Sequence, residues 1–352
     1  MPKTNALGFS RIQMEELLAS WGHPRYKGRQ LFKWLYRIRQ YDFGLMTDLS
    51  KDLRARLSDE LEFRLPEVQH EAVSVDGTVK VLFRLDDGHP IESVLIPDDS
   101  GRATCCISSQ AGCALACRFC ATGTMGLLRD LTPGEIVGQL IYLRDRFGDA
   151  AFSNIVMMGM GEPLHNYDNV IAAMRIVTAE DGLAVSPRKV TLSTSGISPK
   201  IKRLADSGLK LKLAVSLHAA TQEKRVRIMP VAQTFKLDRL MEAVRYYAKK
   251  TTMRVTFEYI VIKDFNDSME DVKALSTLLR GIPCKVNLLA YNPVSGLGLE
   301  RPSDERVDWF GRQLYPRVPA VTIRKSRGLD IDAACGQLAA RNLEGGRHLR
   351  AS

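Results

Sequence analysis

The chain has 352 residues, 45% of them hydrophobic and 26% charged, which suffices for one large domain and a smaller one around a real core. No apolar run is long enough to cross a bilayer, and the start MPKTNALGFSRIQMEELL lacks the basic-then-apolar pattern of a secretory signal, which excludes membrane and secreted classes and leaves a soluble, cytoplasmic protein. The net charge of +10 favours a polyanionic partner.

Residues 1–66 read as an N-terminal helical module. From His23 the chain runs HPRYKGRQLFKWLYRIRQYDF, where Arg25, Arg29, Lys33 and Arg37 recur every four residues and line one helix face. Phe32 and Leu35 point the other way, into a core, and Tyr26, Trp34 and Tyr36 lie between the basic residues. Such a stripe is either a solvated face or a phosphate-tracking surface with aromatics to stack on unpaired bases. A further helix is expected over 46–57, capped by Ser50.

Over residues 67–98 the period changes. EAVSV, TVKVLFRL and HPIESVLIP alternate around Asp76-Gly77 and Asp87-Gly88, the pattern of a small antiparallel meander. From residue 99 to about 340 strand-like runs alternate with helical segments: ATCCIS, NIVMMG, KVTLST, LKLAVS, RVTFEYIVI, KVNLLAY and AVTIRK. This order predicts an α/β fold with a parallel sheet, open or curled into a partial (β/α) barrel, whose site lies at the carboxyl ends of the strands. Residues 341–352 read as a loose tail.

The strand ends carry the unusual residues. After the first of these strands comes CCISSQAGCALACRFCATG, with Cys113, Cys117 and Cys120 spaced Cys-x-x-x-Cys-x-x-Cys. Three thiolates on one loop leave one iron of a 4Fe-4S cluster open to a small molecule, whereas a structural zinc site needs a fourth ligand and usually a second paired knuckle. Gly112 and Gly123 allow tight turns at the edges of the loop. Seven cysteines, three of them clustered, fit reduced thiols serving chemistry better than a disulfide framework. Later strand ends carry GMGEP with Gly161 and Glu162, then Ser193, then Ser216-Leu217-His218, then Asn292. Cys106 ends the first strand and Cys335 follows the last; neighbours in a strand face opposite ways, so only one of Cys105 and Cys106 faces the pocket, and the register from Cys113 favours Cys106.

The triplet resembles that of the radical S-adenosylmethionine (SAM) superfamily. Over nearly the whole chain, PRYKGRQLFKWLY, CISSQAGCALACRFCATG, GMGEPLHN, VTLSTSG, AVSLHAA, FEYIVI, NPVSG and DIDAACGQLAA resemble its RNA-methylating branch, the RlmN/Cfr family. The resemblance implies a 4Fe-4S cluster on Cys113, Cys117 and Cys120 whose open iron is chelated by SAM. Gly161 and Glu162 would take the SAM ammonium, and Ser193, Ser216, Leu217, His218 and Asn292 its carboxylate, ribose and adenine. The glycines would let main chain approach the ligand. It further implies that Cys335 accepts a methyl group from one SAM, that a 5′-deoxyadenosyl radical from a second removes a hydrogen from it, and that the methylene radical adds to adenine. Cys106 would then release the product by forming a disulfide with Cys335, with Glu92 as general base. The implied partners are 23S rRNA, tRNA and an electron donor such as a flavodoxin system, for a monomeric enzyme. Carbon 2 of adenine is the favoured target and carbon 8 the alternative. A peptide- or small-molecule-modifying member of the superfamily, or a non-catalytic iron-sulfur RNA binder, would have no use for Cys335 or for the open iron, respectively. Cys105 and Cys284 have no role in this scheme.

Overall fold

The computed structural model describes residues 3–339; the tail over 341–352 lies outside the described residues. Ten strands form one sheet in strict chain order: β1 (Glu67–Val73), β2 (Val79–Arg84), β3 (Pro90–Pro97), β4 (Ala103–Cys106), β5 (Asn154–Met157), β6 (Val190–Thr194), β7 (Lys212–Ser216), β8 (Val255–Val261), β9 (Cys284–Ala290) and β10 (Val321–Arg324). The first three are the expected antiparallel meander, and β3 pairs antiparallel with β4, so the meander extends the main sheet. From β4 to β10 every pairing is parallel; six of the seven strands fall within the runs read from the sequence, and β9 begins one residue before its run, at Cys284.

The sheet is curled. One residue from each of β5 to β10 (Met157, Ser193, Ser216, Glu258, Leu289 and Arg324) lines the same cavity, which six strands spread flat over roughly 24 Å could not do. Period-two alternation assigns the faces. In β8, Val255, Phe257, Tyr259 and Val261 are buried in the main core, and the Tyr259 ring stacks on Phe310 of the helix Asp304–Leu314 at 5.4 Å. Thr256, Glu258 and Ile260 face the barrel interior. The crossover helix Pro133–Phe147 between β4 and β5 starts on a capping box between Thr132 and Glu135. Among the described residues no helix is long and apolar enough to cross a membrane.

The N-terminal helices Arg11–Ser20, Arg25–Lys33 and Lys51–Glu60 pack Met14, Leu18, Leu31, Phe32, Leu35, Leu53 and Leu57 into the core. The module is pinned where Thr4–Asn5 pairs in parallel with Leu61–Glu62. Two expectations need correcting. The helix expected from Met46 starts at Lys51, because Ser50 accepts the Leu53 amide and fixes the first turn there. Tyr36 is not available to stack on a base: it is buried, and its hydroxyl accepts the Gly8 amide at 2.8 Å and donates to the Phe9 carbonyl. Arg25, Arg29, Lys33 and Arg37 are all exposed, with Arg37 on a π-helical turn, Trp34–Ile38, that prolongs the second helix.

Candidate active site

Beyond β4 the chain makes a short hairpin, Gln110–Cys113 with Gly126–Asp130, and the three clustered cysteines lie in and just after its first arm. Gly112 is obligatory there: its φ is +74°, and a Cβ would stand 2.0 Å from the Gly126 carbonyl oxygen. Cys113, Cys117 and Cys120 line one wall of a cavity of about 940 Å3 that is open to solvent, with Gly161, Glu162, Ser193, Ser216, His218 and Cys335 around it. Burial pushes the Cys113 thiol up to about 12 and Cys117 well above its ordinary value, and Cys117 is raised further by Cys120 and Cys113. Thiols raised in this way become thiolates only against strong local positive charge, which bound iron supplies. They do not converge on one point as the ligands of a single zinc ion do; among the described residues no such convergence of His, Cys, Asp or Glu exists. The donor set therefore fits an iron-sulfur cluster.

The opposite walls are polar and fixed. Glu162 is buried, its carboxylate accepting the Leu164 amide at 3.0 Å and the Ser195 amide at 2.7 Å, and burial raises its pKa. Gly161, read as a place where main chain nears a ligand, lines the cavity and also makes room for protein on its other side. Its φ is +98°, and a Cβ would meet the Gln110 side chain at 2.5 Å. His218 sits at φ +56°; its Nδ1 accepts the Ile260 amide at 3.1 Å, which leaves the proton on Nε2. Burial, aided by the nearby Arg225 cation, pushes its pKa down to about 3, so the ring is neutral. Ser193 and Ser216 line the cavity as expected. Leu217 is wholly buried and its side chain does not reach the cavity; only its main chain is available, and its carbonyl is taken by Arg225.

The C-terminal loop closes the site. The Ala121 amide donates to the Gly336 carbonyl at 2.7 Å and the Thr122 hydroxyl to the Leu338 carbonyl at 2.6 Å, which ties Cys335 to the segment just after Cys120. Asn292, expected beside the cofactor, is instead engaged with this loop. Its Nδ2 donates to the Cys335 carbonyl at 3.1 Å while Oδ1 accepts from Ser326 and Arg301. Cys335 also lines an adjoining cavity together with Cys106. The thiol is exposed to the solvent of these cavities yet hemmed in by their walls, which push its pKa up to about 11. Burial raises Cys106 to about 12, with a contribution from Cys335; burial also raises Cys105 well above the ordinary thiol value, and Cys105 lines neither cavity. Cys106, not Cys105, faces the pocket.

Glu92 is buried on β3, not solvent-facing. One carboxylate oxygen lies 3.2 Å from Lys80 Nζ and the other accepts the Ala339 amide at 3.1 Å. It lines a neighbouring cavity with His70, Lys80 and Asp332 and does not line the thiol cavity.

Three comparisons with known proteins bear on this arrangement. A dual-specificity RNA methyltransferase RlmN from Syntrophotalea carbinolica is 47% identical over 332 residues, covering 94% of this chain and 88% of that protein. The chain belongs to the RlmN family. The RlmN of Pelobacter propionicus is 46% identical over 338 residues, 96% of each chain. The family model for the Radical SAM superfamily matches residues 107–275, and that for the ribosomal RNA large subunit methyltransferase N-terminal domain matches residues 4–63. The crystal structure of a radical SAM methyltransferase from Sphaerobacter thermophilus superposes with a TM-score of 0.90 at 44% identity, covering 96% of this chain and 100% of that one. As in the radical SAM superfamily at large, the cofactors of this RlmN-family chain are a 4Fe-4S cluster and SAM.

Two charged residues at or behind the cavity were not picked out from the sequence. Glu258 lines the cavity from β8, buried and bonded to Asn287 Nδ2 at 2.8 Å. A carboxylate interrupting the apolar run VTFEYIV was the available signal, since a strand buries such a group only for a reason. Arg225 lies entirely buried behind the SLH segment. On a short helix it gives no sign in the sequence that it is internal.

Proposed function

We propose that this chain methylates carbon 2 of an adenosine in the peptidyl-transferase region of 23S rRNA and of an adenosine beside the anticodon of tRNA, carrying the methyl group on Cys335. The observation that supports this most directly is the placement of Cys335, which lines both the cavity of the cluster thiols and the cavity of Cys106. A single side chain thus reaches the place where SAM is activated and the place where a second thiol waits. A carrier that must first be loaded and later be cut free needs both.

Bound at the open iron, SAM supplies the one-electron chemistry that an electron-poor adenine carbon requires. The protein's own groups do the rest. Glu162, Ser193 and Ser216 offer polar contacts across the cavity, and neutral His218 presents its Nε2–H as a donor. Cys335, held by Ala121, Thr122 and Asn292, presents its methyl group to one side and the RNA base to the other. Once the methylene carbon joins the adenine ring, the adduct must shed one electron, which the cluster would take back, and the ring proton, for which Glu92 is the base, exchanging the Ala339 amide for substrate. The Cys106 thiolate then attacks the Cys335 sulfur. The sulfur–carbon bond breaks as the disulfide forms, and the released carbon takes a proton to become the methyl group. Two electrons from an external donor, a flavodoxin-type protein, reopen the disulfide.

The exposed stripe of Arg25, Arg29, Lys33 and Arg37 tracks the RNA backbone, with Tyr26, 56% exposed, available for stacking. The enzyme acts as a monomer in the cytoplasm. Mass spectrometry of digested 23S rRNA and tRNA from a deletion strain tests the assignment. The 2-methyladenosine should vanish from both RNAs and return on complementation; loss of 8-methyladenosine instead would make this a carbon-8 enzyme.

A further inference from the structure

Arg225 is a buried cation whose hydrogen bonds are all to neutral groups. Its Nε donates to the Leu217 carbonyl at 3.2 Å, and one terminal nitrogen donates to the Ser195 carbonyl and to the Ser216 carbonyl at 3.2 Å. The other terminal nitrogen, Nη1, is buried with no hydrogen-bond partner in the structure. Among the described residues no carboxylate lies within ion-pair distance of it. A guanidinium with no exposed surface and no counter-ion is costly, and proteins keep one only where an anion compensates it. The groups it feels electrostatically are Cys117 and Glu162. Burial lowers its pKa only to about 10, so it stays charged at neutral pH.

We infer that Arg225 is the counter-ion of the iron-sulfur cluster, a positioning residue that makes the cluster easier to reduce. This rests on the radical SAM reading of the Cys113, Cys117 and Cys120 loop. With three thiolate ligands the oxidised cluster carries one net negative charge, and the electron delivered by the reductant adds a second. A fixed cation whose field reaches the cluster through a medium of low dielectric stabilises the more negative state, which raises the reduction potential. The carbonyl bonds of Arg225 serve the same end, because they lock the guanidinium to the ends of β6 and β7 and spare it any rearrangement when the charge changes.

The test is a spectroscopic redox titration of the reconstituted cluster in the wild type, Arg225→Lys and Arg225→Gln. The glutamine variant should have a more negative midpoint potential, and the lysine variant should recover most of the difference although it loses the planar fork. Four irons per chain with an unchanged potential in the glutamine variant would overturn the inference, as would equal shifts in both variants. If the glutamine variant does not take up a cluster, thermal melting of the iron-free proteins decides. Unchanged iron-free stability means that assembly needed the charge; marked destabilisation means that Arg225 is only a clamp. Zinc without iron after anaerobic reconstitution of the wild type would strike the radical reading itself, a result distinct from either.

Discussion

Cys106 at the end of β4 and Cys335 in the C-terminal loop line the same cavity as free thiols, while Cys105, one residue earlier, is wholly buried and lines neither that cavity nor the cavity of the cluster thiols. The sheet explains the division. Cys106 is in register with Val94 on β3 and Val156 on β5, and successive side chains of a strand alternate faces. Cys105→Ala should therefore leave RNA methylation unchanged and lower stability by about 1 kcal/mol, the cost of a small core truncation. Denaturant midpoints and a methylation assay on the same preparation check both halves.

The cluster prediction follows from the loop. Anaerobically prepared protein should carry about four irons per chain, and Cys117→Ala should lose iron and SAM cleavage together, because it leaves only two of the three cluster thiols. Iron analysis beside 5′-deoxyadenosine release reads both.

His218 makes a pH prediction. Its folded-state pKa is depressed to about 3, so between that value and its unfolded value near 6.5 the unfolded chain binds a proton that the folded chain refuses. Stability from this group is complete above pH 6.5 and is lost as the pH falls toward 3, on the order of 5 kcal/mol in all. His218→Phe should flatten the acid limb of the stability curve and, by losing one directed donor, weaken SAM binding roughly tenfold. An acid limb as steep in the variant as in the wild type would refute the assignment.

The architecture was legible because its signals are local. Alternation and Asp-Gly turns marked β1 to β3, and apolar runs marked β4 to β10. The cysteine triplet and the strand-end residues were legible for the same reason. What could not be read depends on packing between distant segments. Asn292 stands at a strand end like its neighbours, yet its side chain is taken by the Cys335 loop 43 residues on. That Gln110 packs against Gly161 is likewise invisible in the sequence, where the glycine reads only as an edge of the cavity. Tyr36 looked like a base-stacking ring because its partners, Gly8 and Phe9, come from a different segment of the module.

The basic stripe carries a salt prediction. If Arg25, Arg29, Lys33 and Arg37 each neutralise a phosphate, replacing all four with glutamine should lower the slope of log K against log salt by roughly 3 for single-stranded contacts. SAM cleavage without RNA should be unaffected. Fluorescence anisotropy on tRNA over a salt series measures the slope; an unchanged slope would reduce the stripe to a solvated face.

Trapping the RNA–protein bond tests the two-thiol cycle most directly. Reconstituted Cys106→Ala, incubated with SAM, reductant and tRNA, should accumulate a species on a denaturing gel that is heavier by the RNA, sensitive to nuclease, and joined at Cys335. Cys335→Ala should give neither adduct nor methylated RNA. Free, fully methylated RNA from Cys106→Ala, or an adduct formed by Cys335→Ala, would contradict the account.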